Sequence, residues 1–415
     1  MTSQAPAAAA AVLVATKHTP GTDESWHGKI TPEGPFPPEK GRYRLYIGLF
    51  CPFAHRALIV RNLKGLQEFL PATVVKPYPK GNDNGWPGWR FPTSADEYPG
   101  ADLDPLFGAI HLHDIYFKDD PQYKGRYTVP LLWDVKNSVA VNNESLELLR
   151  DLQTAFDPLL PEGSPERALT LYPEALRAEI DRIGGWMQDH LNVGVYKAGF
   201  AETQAEYDEH VPYVFAALNV LERMVHANGG PYLLGAQMTE LDVRMYATLI
   251  RFDTVYAQHF KCNLGIIRHD YPQLHNWLKN LYWNVPAFRE TTDFKHIKEN
   301  YTKSHQSVNP RAITPLGPWP HIEEGYEPDL AKVRVGGVKM PCVVDLEAVT
   351  VGAVPELSTE SGRKPEIHYL GTSVVISNIT HCVDVASEAV RLDHTTGFIA
   401  REARGHRNRI KIEGH

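Results

Sequence analysis

The feature that most constrains the fold is a strand that leads directly into the start of a helix. Residues 42–50 alternate in polarity and are rich in aromatic and aliphatic side chains, which is typical of a β-strand. Cys51 and Pro52 follow, and apolar residues then recur at helical spacing. Pro52 suits a first helical turn, because its missing N–H would have no helical partner there. With a second short strand at 72–76, the pattern predicts a β-α-β unit.

The pattern changes further along the chain. The elements predicted next are a helix at 106–116, strands at 127–133 and 139–142, and a helix at 144–156. From about residue 165 to 300 the sequence favours long amphipathic helices. The clearest covers 239–260, where Thr239 and Asp242 resemble a capping box. The fold class predicted is therefore an α/β domain followed by an all-α domain.

These changes divide the chain into four parts. Residues 1–38 are proline-rich and aperiodic, and we expect them to form a flexible lead-in. The α/β domain takes residues 39–160, and the all-helical domain takes residues 161–325. Residues 326–415 form an unassigned extension. We expect it to be either a small β-rich appendage or sequence that does not fold.

Charge and cysteine content exclude several classes of function. The chain has 42 basic and 50 acidic residues, a net charge of −8, whereas nucleic-acid binding needs a concentrated basic face. No apolar run approaches the roughly 20 residues needed to cross a bilayer. Four cysteines in 415 residues do not make a disulfide scaffold, and no two have zinc-ligand spacing. We expect a cytoplasmic protein without a metal, a nucleic-acid partner or a membrane partner.

Cys51 is the candidate nucleophile. The unpaired N–H groups and the dipole of a helix N-terminus stabilise negative charge. Cysteines placed in this way can have pKa values lowered from about 8.5 to between about 3.5 and 7.5. His55 and Arg56 would add positive charge if they turn toward the sulfur. The alternative is a buried structural cysteine followed by a helix-starting proline.

The fourth position of this motif restricts the chemistry further. Dithiol oxidoreductases carry a second cysteine there, whereas this chain has Ala54. A reactive Cys51 would therefore stay in a mixed disulfide until an external thiol released it. Glutathione is the abundant external thiol, so the motif indicates glutathione chemistry.

Two downstream pairs support a glutathione site. Val129 and Pro130 are placed as the cis-proline loop of a thioredoxin-type domain, in which the residue before proline offers backbone groups to an extended peptide. Glu144 and Ser145 open a helix. A carboxylate, a hydroxyl and helix N–H groups can together hold the charged ends of a γ-glutamyl group. Taken alone, this second pair could be a plain helix cap.

Longer stretches of the chain resemble a known family. They are EKGRYRLYIGLFCPFAHRALIVRNLKGL, GRYTVPLLWD, VNNESLELLR, GVYKAGFA, TELDVRMYATLIRFDTVYAQHFKCN and HIKENYTKSHQSVNPRAITPLGP, within residues 39–318. On these stretches the chain resembles the glutathionyl-hydroquinone reductases, the omega-like xi class of glutathione S-transferases. Parts of the last two stretches are typical of this class rather than of transferases in general. Phe53 stands where the family has tryptophan.

The resemblance implies an architecture and a set of site residues. The α/β domain would be thioredoxin-like and bind glutathione, and the helical domain would be of the glutathione-transferase type, carry the substrate site and form a homodimer. Cys51 would be the nucleophile, and Tyr196 would donate a proton to the leaving group. Tyr256 and Tyr301 would line the quinone site and help to keep the thiol ionised. The residues implied in glutathione binding are Trp89 (with Trp86 as the alternative), Arg126, Val129, Glu144 and Ser145.

The implied reaction is the reduction of glutathionyl-hydroquinones through a mixed disulfide between Cys51 and glutathione, with release of oxidised glutathione. Glutathione would be the cosubstrate, and an aromatic or quinone-type molecule would be the partner. Two other functions stay open. One is a glutathione-dependent tailoring enzyme, such as an isomerase, a reductive dehalogenase or a conjugating transferase, that acts on one aromatic metabolite. The other is a non-catalytic binder, and the presence of both Cys51 and Tyr196 counts against it.

Overall fold

A four-stranded mixed sheet forms the centre of the first domain. The computed structural model describes residues 26–79, 88–318 and 334–338, together with the backbone of four strands between residues 366 and 401. The strands of the central sheet are β1 (Tyr43–Ile47), β2 (Ala72–Val74), β3 (Leu131–Asp134) and β4 (Val139–Asn142). Their order is β2-β1-β3-β4, with β1 parallel to β2 and β3 antiparallel to β1 and β4. The predicted β-α-β unit is confirmed.

The helices of this domain are α1 (Pro52–Leu63), α2 (Leu112–Asp119) and α3 (Ser145–Asp151). Helix α1 begins at Pro52 as predicted, but α2 begins later than the predicted residue 106. The Asp104 carboxylate accepts three N–H groups between residues 106 and 109, at 3.3, 2.9 and 3.1 Å, and so holds this stretch in a loop. The helix starts only after His111, whose N–H donates to Asp114 at 3.1 Å.

The second domain consists of helices, as predicted. They are α4 (Pro165–Ala168), α5 (Arg177–Met187), α6 (Gly194–Gly199), α7 (Gln204–Asn228), α8 (Glu240–Arg251), α9 (Ile267–Asp270), α10 (Pro272–Asn284), α11 (Pro286–Arg289) and α12 (Phe294–Ser304). A 3₁₀ turn at Asp157–Leu159 ends the first domain, and the second contains a 3₁₀ turn at Glu174–Leu176 and π-helical turns at Gln188–Asn192 and Phe252–Tyr256.

Helix α8 differs from its prediction at one end only. Its N-terminus carries the predicted capping box between Thr239 and Asp242. Its regular part ends at Arg251, and the π-helical turn Phe252–Tyr256 replaces the rest of the predicted helix. The wider turn rotates the residues that follow relative to a regular helix, and such turns are frequent at functional sites.

Residues 26–38 pack onto the first domain, which corrects the prediction of a flexible lead-in through residue 38. The side chains of Trp26, Ile30 and Phe36 are buried. The backbone N–H of Trp26 donates to Asn143 at 2.8 Å, and its indole N–H donates to Asp119 at 2.9 Å. Isolated aromatic anchors hold the segment, so it has no periodicity by which it could be predicted. Residues 1–25 lie outside the described ranges.

Parts of the extension are also described. Residues 334–338 lie against the helical domain, where the N–H of Gly336 donates to the buried Glu222 carboxylate at 3.0 Å. Further strands are β5 (Glu366–Leu370) paired with β6 (Ser373–Ser377), and β7 (Val390–Asp393) paired with β8 (Phe398–Arg401). Cys342 and Cys382 lie outside the described residues. Within the described ranges, each helix is too short or too polar to cross a bilayer.

The capping box of α8 gives a test of the helical core. Asp242 accepts the N–H groups of Leu233 and Thr239 and the indole N–H of Trp277, at 2.8, 2.9 and 2.9 Å. Asp242→Ala leaves these three donors without their acceptor, so we expect the free energy of unfolding to fall by about 2–4 kcal/mol. Urea denaturation measures this loss. Glu179→Ala, at an exposed position of α5, is the control and should change it by less than about 0.5 kcal/mol. Equal effects of the two substitutions would contradict the prediction.

Candidate active site

Cys51 is the N-cap of α1, and its side chain is half-buried. Its Sγ accepts the N–H of Ala54 and donates to the carbonyl of Val129, each at 3.5 Å. The turn between β1 and α1 is closed by the N–H of Cys51, which donates to the carbonyl of Gly48 at 2.9 Å. The strand, the turn and the helix start therefore fix one thiol at the edge of the sheet, as the sequence predicts.

Opposing effects determine the acidity of this thiol. Burial raises the pKa of Cys51, whereas the N–H groups of Ala54 and Phe53 and the charges of Arg251 and Arg56 lower it. Burial is the largest of these effects, and the pKa is raised overall. The helix N-terminus stabilises the thiolate as expected, but it is insufficient by itself to acidify a sulfur in this environment.

His55 is uncharged, so it does not add the positive charge near the sulfur that the sequence allows. Its imidazole is buried, and burial together with the charge of Arg251 keeps its pKa well below the ordinary value. Its Nε2 lies 2.9 Å from the hydroxyl of Thr291, and its Nδ1 lies 3.1 Å from Nη1 of Arg251. Because Nη1 can only donate, Nδ1 is the acceptor, and the ring is neutral.

Arg56 does supply charge near the sulfur. Its guanidinium donates to Oγ of Ser145 at 3.4 Å and to Oε1 of Gln188 at 3.0 Å, and it lies 4.9 Å from the ring centroid of Phe53. Burial lowers its pKa to about 9. Arg56 therefore stays protonated at neutral pH and links the N-terminus of α3 to the first turn of α1.

Arg251 is a site residue that sequence analysis missed. It ends α8 with its side chain fully buried, and it donates to the carbonyls of Leu49 and Phe50, each at 2.9 Å. These two residues directly precede Cys51. The sequence does contain a signal for Arg251: it is a charged residue on an apolar helical face, inside the stretch TLIRFD that carries the family resemblance.

Three tyrosines from three separate elements meet in the helical domain. Tyr196 lies on α6, Tyr256 in the π-helical turn and Tyr301 on α12. The Tyr301 hydroxyl is hydrogen-bonded to that of Tyr196 and lies 3.0 Å from that of Tyr256. Burial raises the pKa of all three phenols, so each is protonated at neutral pH and can donate a proton.

Two close contacts place these tyrosines. Asn300 and Ser304 both donate to the carbonyl of Pro77, at 2.7 and 2.9 Å, and so hold α12 against the loop after β2. Gly199 allows α6 to approach Phe260, because a Cβ at this position would lie 2.1 Å from the phenylalanine ring. A larger residue than Gly199 would push Tyr196 away from its partners.

An aromatic wall, also missed by sequence analysis, adjoins the tyrosines. It consists of Phe53, Phe200, Phe260 and His305. Phe53 lies 5.9 Å and Phe260 5.2 Å from the ring of Tyr196, and Phe200 and His305 lie 5.1 and 5.9 Å from Phe260. Phe200 is 43% exposed. A partly open aromatic surface beside phenol donors favours a flat ring with oxygen substituents.

Three residues implied in glutathione binding surround the sulfur and the start of α3. Val129 reaches Cys51 through its carbonyl, and its peptide bond to Pro130 is cis. Glu144 is the N-cap of α3 and accepts the N–H of Leu146 at 3.1 Å. The buried Ser145 follows it and bonds to Arg56. The Glu144 carboxylate therefore lies at the helix N-terminus.

The other two residues implied in glutathione binding, Trp89 and Arg126, make fewer contacts with the rest of the site. Trp89 packs on Phe50 with ring centroids 4.3 Å apart, which places it next to the Cys51 turn. Arg126 is exposed, and within the described residues its guanidinium makes no hydrogen bond to the rest of the site. Trp86 lies outside the described ranges.

One group of potential metal ligands occurs in the described part of the chain. His111, His113 and Asp114 bring their ligand atoms within 4.8 Å of one another. The Asp114 carboxylate accepts the N–H of His111 and thereby caps α2.

Comparison with known sequences gives two family matches. The glutathione S-transferase N-terminal domain matches residues 50–155, and the glutathione S-transferase C-terminal domain matches residues 204–280. A Schizosaccharomyces pombe protein, glutathione S-transferase omega-like 2, is 48% identical over 72% of this chain and 93% of its own length. The glutathionyl-hydroquinone reductase YqjG of Escherichia coli K12 is 45% identical over 72% of this chain and 86% of its own length.

Solved structures of glutathione transferases also match this chain. The crystal structure of the xi glutathione transferase ECM4 from Saccharomyces cerevisiae, in complex with glutathione, is 40% identical to this chain with a TM-score of 0.67. The match covers 72% of this chain and 98% of that structure. The matched region includes an α/β domain and a helical domain, in the predicted order.

The two described cysteines should differ in reactivity. Burial raises the pKa of Cys262 to about 12, and its side chain is fully buried, whereas Cys51 is only half-buried. Brief treatment of the native protein with iodoacetamide should therefore alkylate Cys51 and leave Cys262 intact, as measured by peptide mass spectrometry. Treatment in urea is the control and should alkylate both. Equal labelling of the two cysteines in the native protein would contradict this description of the site.

Proposed function

The chain belongs to the xi class of the glutathione transferase family, and from that premise we propose that it is a glutathione-dependent thiol transferase that reduces glutathionyl-hydroquinones to hydroquinones. The observation that carries the proposal is the placement of one thiol, Cys51, beside two different surfaces. On one side lie the Val129 carbonyl and the start of α3. On the other lie the tyrosines, since the ring of Phe53, two residues after Cys51, lies 5.9 Å from the ring of Tyr196.

The glutathionyl part of the substrate would lie along the first of these surfaces. The backbone of Val129 would pair with the cysteinyl part of the tripeptide, as in strand addition. Glu144, Ser145 and the N-terminus of α3 would hold the γ-glutamyl end. Trp89 would stack on the peptide and Arg126 would contact its backbone. The quinone ring would lie on the aromatic wall, within reach of the phenols.

The first step would transfer the glutathionyl group to the protein. Tautomerisation of the bound ring places a hydrogen on the carbon that carries sulfur and weakens the carbon–sulfur bond. The Cys51 thiolate attacks the glutathione sulfur, forming a disulfide while the carbon–sulfur bond breaks. The electron pair of that bond restores the aromatic ring, and Tyr196 protonates the departing hydroquinone. Tyr256 and Tyr301 stabilise the charge left on Tyr196 through the hydroxyl cluster.

The second step would restore the thiol. The thiolate of a second glutathione attacks the glutathione sulfur of the mixed disulfide, and Cys51 leaves as a thiolate. In sum, one glutathionyl-hydroquinone and one glutathione give one hydroquinone and one oxidised glutathione. Ala54 leaves no second cysteine in the motif to resolve the mixed disulfide internally. We further propose that the protein works as a homodimer in a reducing compartment such as the cytoplasm, where glutathione is available.

Substitution of the nucleophile and of the proton donor tests this mechanism. With glutathionyl-menadiol and glutathione, the wild-type protein should yield menadiol and oxidised glutathione. Cys51→Ala should abolish the reaction. Tyr196→Phe should lower kcat by about 10²–10³-fold, because it removes the proton donor. Chromatography of menadiol, with oxidised glutathione measured by a coupled assay, gives both rates.

Cys262→Ser is the matched control, because it removes the other described thiol while keeping a donor toward the carbonyls of Val195 and Phe260, and it should not affect kcat. Equal activity of the wild type and Cys51→Ala would overturn the monothiol mechanism. Cys51-dependent turnover of another glutathionylated aromatic compound, without turnover of glutathionyl-menadiol, would instead indicate the tailoring enzyme.

A further inference from the structure

The guanidinium of Arg251 is buried without a carboxylate partner. Its Nε donates to the Phe50 carbonyl and its Nη2 to the Leu49 carbonyl, each at 2.9 Å. Its Nη1 donates to the Ala247 carbonyl at 2.6 Å and to the neutral His55 at 3.1 Å. All of these acceptors are uncharged, so none of them neutralises the guanidinium.

Two other buried arginines of the described chain have carboxylate partners, whereas Arg56, which also acts on Cys51, donates to Ser145 and Gln188 instead. Arg42 pairs with Asp134 at 2.6 Å, and Arg244 lies 3.6 Å from Glu240. Among the described residues, no carboxylate oxygen lies within 4.0 Å of Arg251. A buried charge without a counter-charge is costly, so its retention needs a reason in this protein.

The ionisable group nearest in sequence to the carbonyls that Arg251 binds is the thiol of Cys51. We propose that Arg251 is the positioning residue of Cys51 and supplies the counter-charge of its thiolate. This inference rests on the proposed function, since it requires that Cys51 react as a thiolate. The contacts with the Cys51 turn and the absence of a carboxylate partner are the geometric observations that carry it.

The positioning role follows from the turn that ends at Cys51. Leu49 and Phe50 are the central residues of this turn, which the N–H of Cys51 closes onto the carbonyl of Gly48 at 2.9 Å. The planar guanidinium binds both central carbonyls and presents its donors in a fixed geometry. Because the turn ends at the N-cap of α1, fixing its two carbonyls fixes the position from which the sulfur extends.

The counter-charge role is shared with one other cation. Arg251 and Arg56 both favour the thiolate, whereas His55 is neutral and adds nothing. Burial keeps Tyr196 and Tyr256 as protonated phenols, and the charge of a Cys51 thiolate raises the pKa of both further. The negative charge of Glu144 interacts with the guanidinium of Arg56 and so partly offsets the positive charge that Arg56 contributes. Tyr301, which also senses the charge of Arg251, contacts the other phenols. The uncompensated cation among these groups is therefore Arg251.

Two substitutions of Arg251 separate the positioning role from the charge. Arg251→Met removes the charge and the donors, whereas Arg251→Lys keeps a charge but loses the planar fork. Arg244→Lys is the matched control, because Arg244 lies two turns earlier on the same helix and is paired with Glu240. The pH dependence of Cys51 alkylation by iodoacetamide gives the thiol pKa, and kcat and KM are measured with glutathionyl-menadiol.

In Arg251→Met we expect the Cys51 pKa to rise by about one pH unit or more, with an alkylation rate at pH 7 about tenfold lower. In Arg251→Lys the pKa should stay near that of the wild type, while kcat falls and KM changes little. Arg244→Lys should change thermal stability without changing the pKa. If Arg251→Met does not fold, Arg251→Gln replaces it, since glutamine keeps a donor without the charge.

An unchanged thiol pKa in Arg251→Met or Arg251→Gln would overturn the counter-charge role, and unchanged kcat in Arg251→Lys would overturn the positioning role. If Arg251→Lys and Arg244→Lys lowered kcat by the same factor, the effect would be merely structural, and this result would also contradict the proposal. Alkylation needs no substrate. Failure of this inference is therefore distinguishable from failure of the proposed reduction.

Discussion

The hydrogen bonds from Arg251 to the carbonyls of Leu49 and Phe50 join the two halves of the candidate site. The thiol and the residues implied in glutathione binding come from the α/β domain, whereas the tyrosines and the aromatic wall come mainly from the helical domain. A reaction between groups on two domains depends on their alignment, because small displacements are costly for rate. The contacts of α12 with the Pro77 carbonyl add a second fixed point between the domains.

The same junction explains how an apolar site can hold an ionisable thiol. Burial favours an aromatic substrate and keeps the phenols protonated, but it also raises the pKa of Cys51. Helix N–H groups and two buried arginines act in the opposite direction. Acidity at Cys51 is therefore a property of both domains, and the helix N-terminus supplies only part of it.

Local sequence patterns were sufficient for part of the structure. The strand, the Cys-Pro helix start, strand β4 and the capping box of α8 depend on neighbours within a few residues, and each was predicted. The late start of α2 depends on the Asp104 carboxylate, which no helical periodicity reports. The packing of Trp26 and the neutral state of His55 depend on partners more than 90 residues away. The roles assigned to the tyrosines came from family resemblance, since no local pattern brings Tyr196 to Tyr301 across 105 residues.

The central claim is that the glutathionyl group passes through Cys51, and a single-turnover experiment tests it most directly. Wild-type protein is mixed with an equal amount of glutathionyl-menadiol, the hydroquinone form of the conjugate, in the absence of free glutathione, and its intact mass is measured. We predict release of one menadiol per protein molecule, together with a mass gain of one glutathionyl group that maps to Cys51 and disappears on addition of glutathione. Menadiol that forms only after glutathione is added, with no glutathionylated protein at any time, would contradict the mixed-disulfide mechanism.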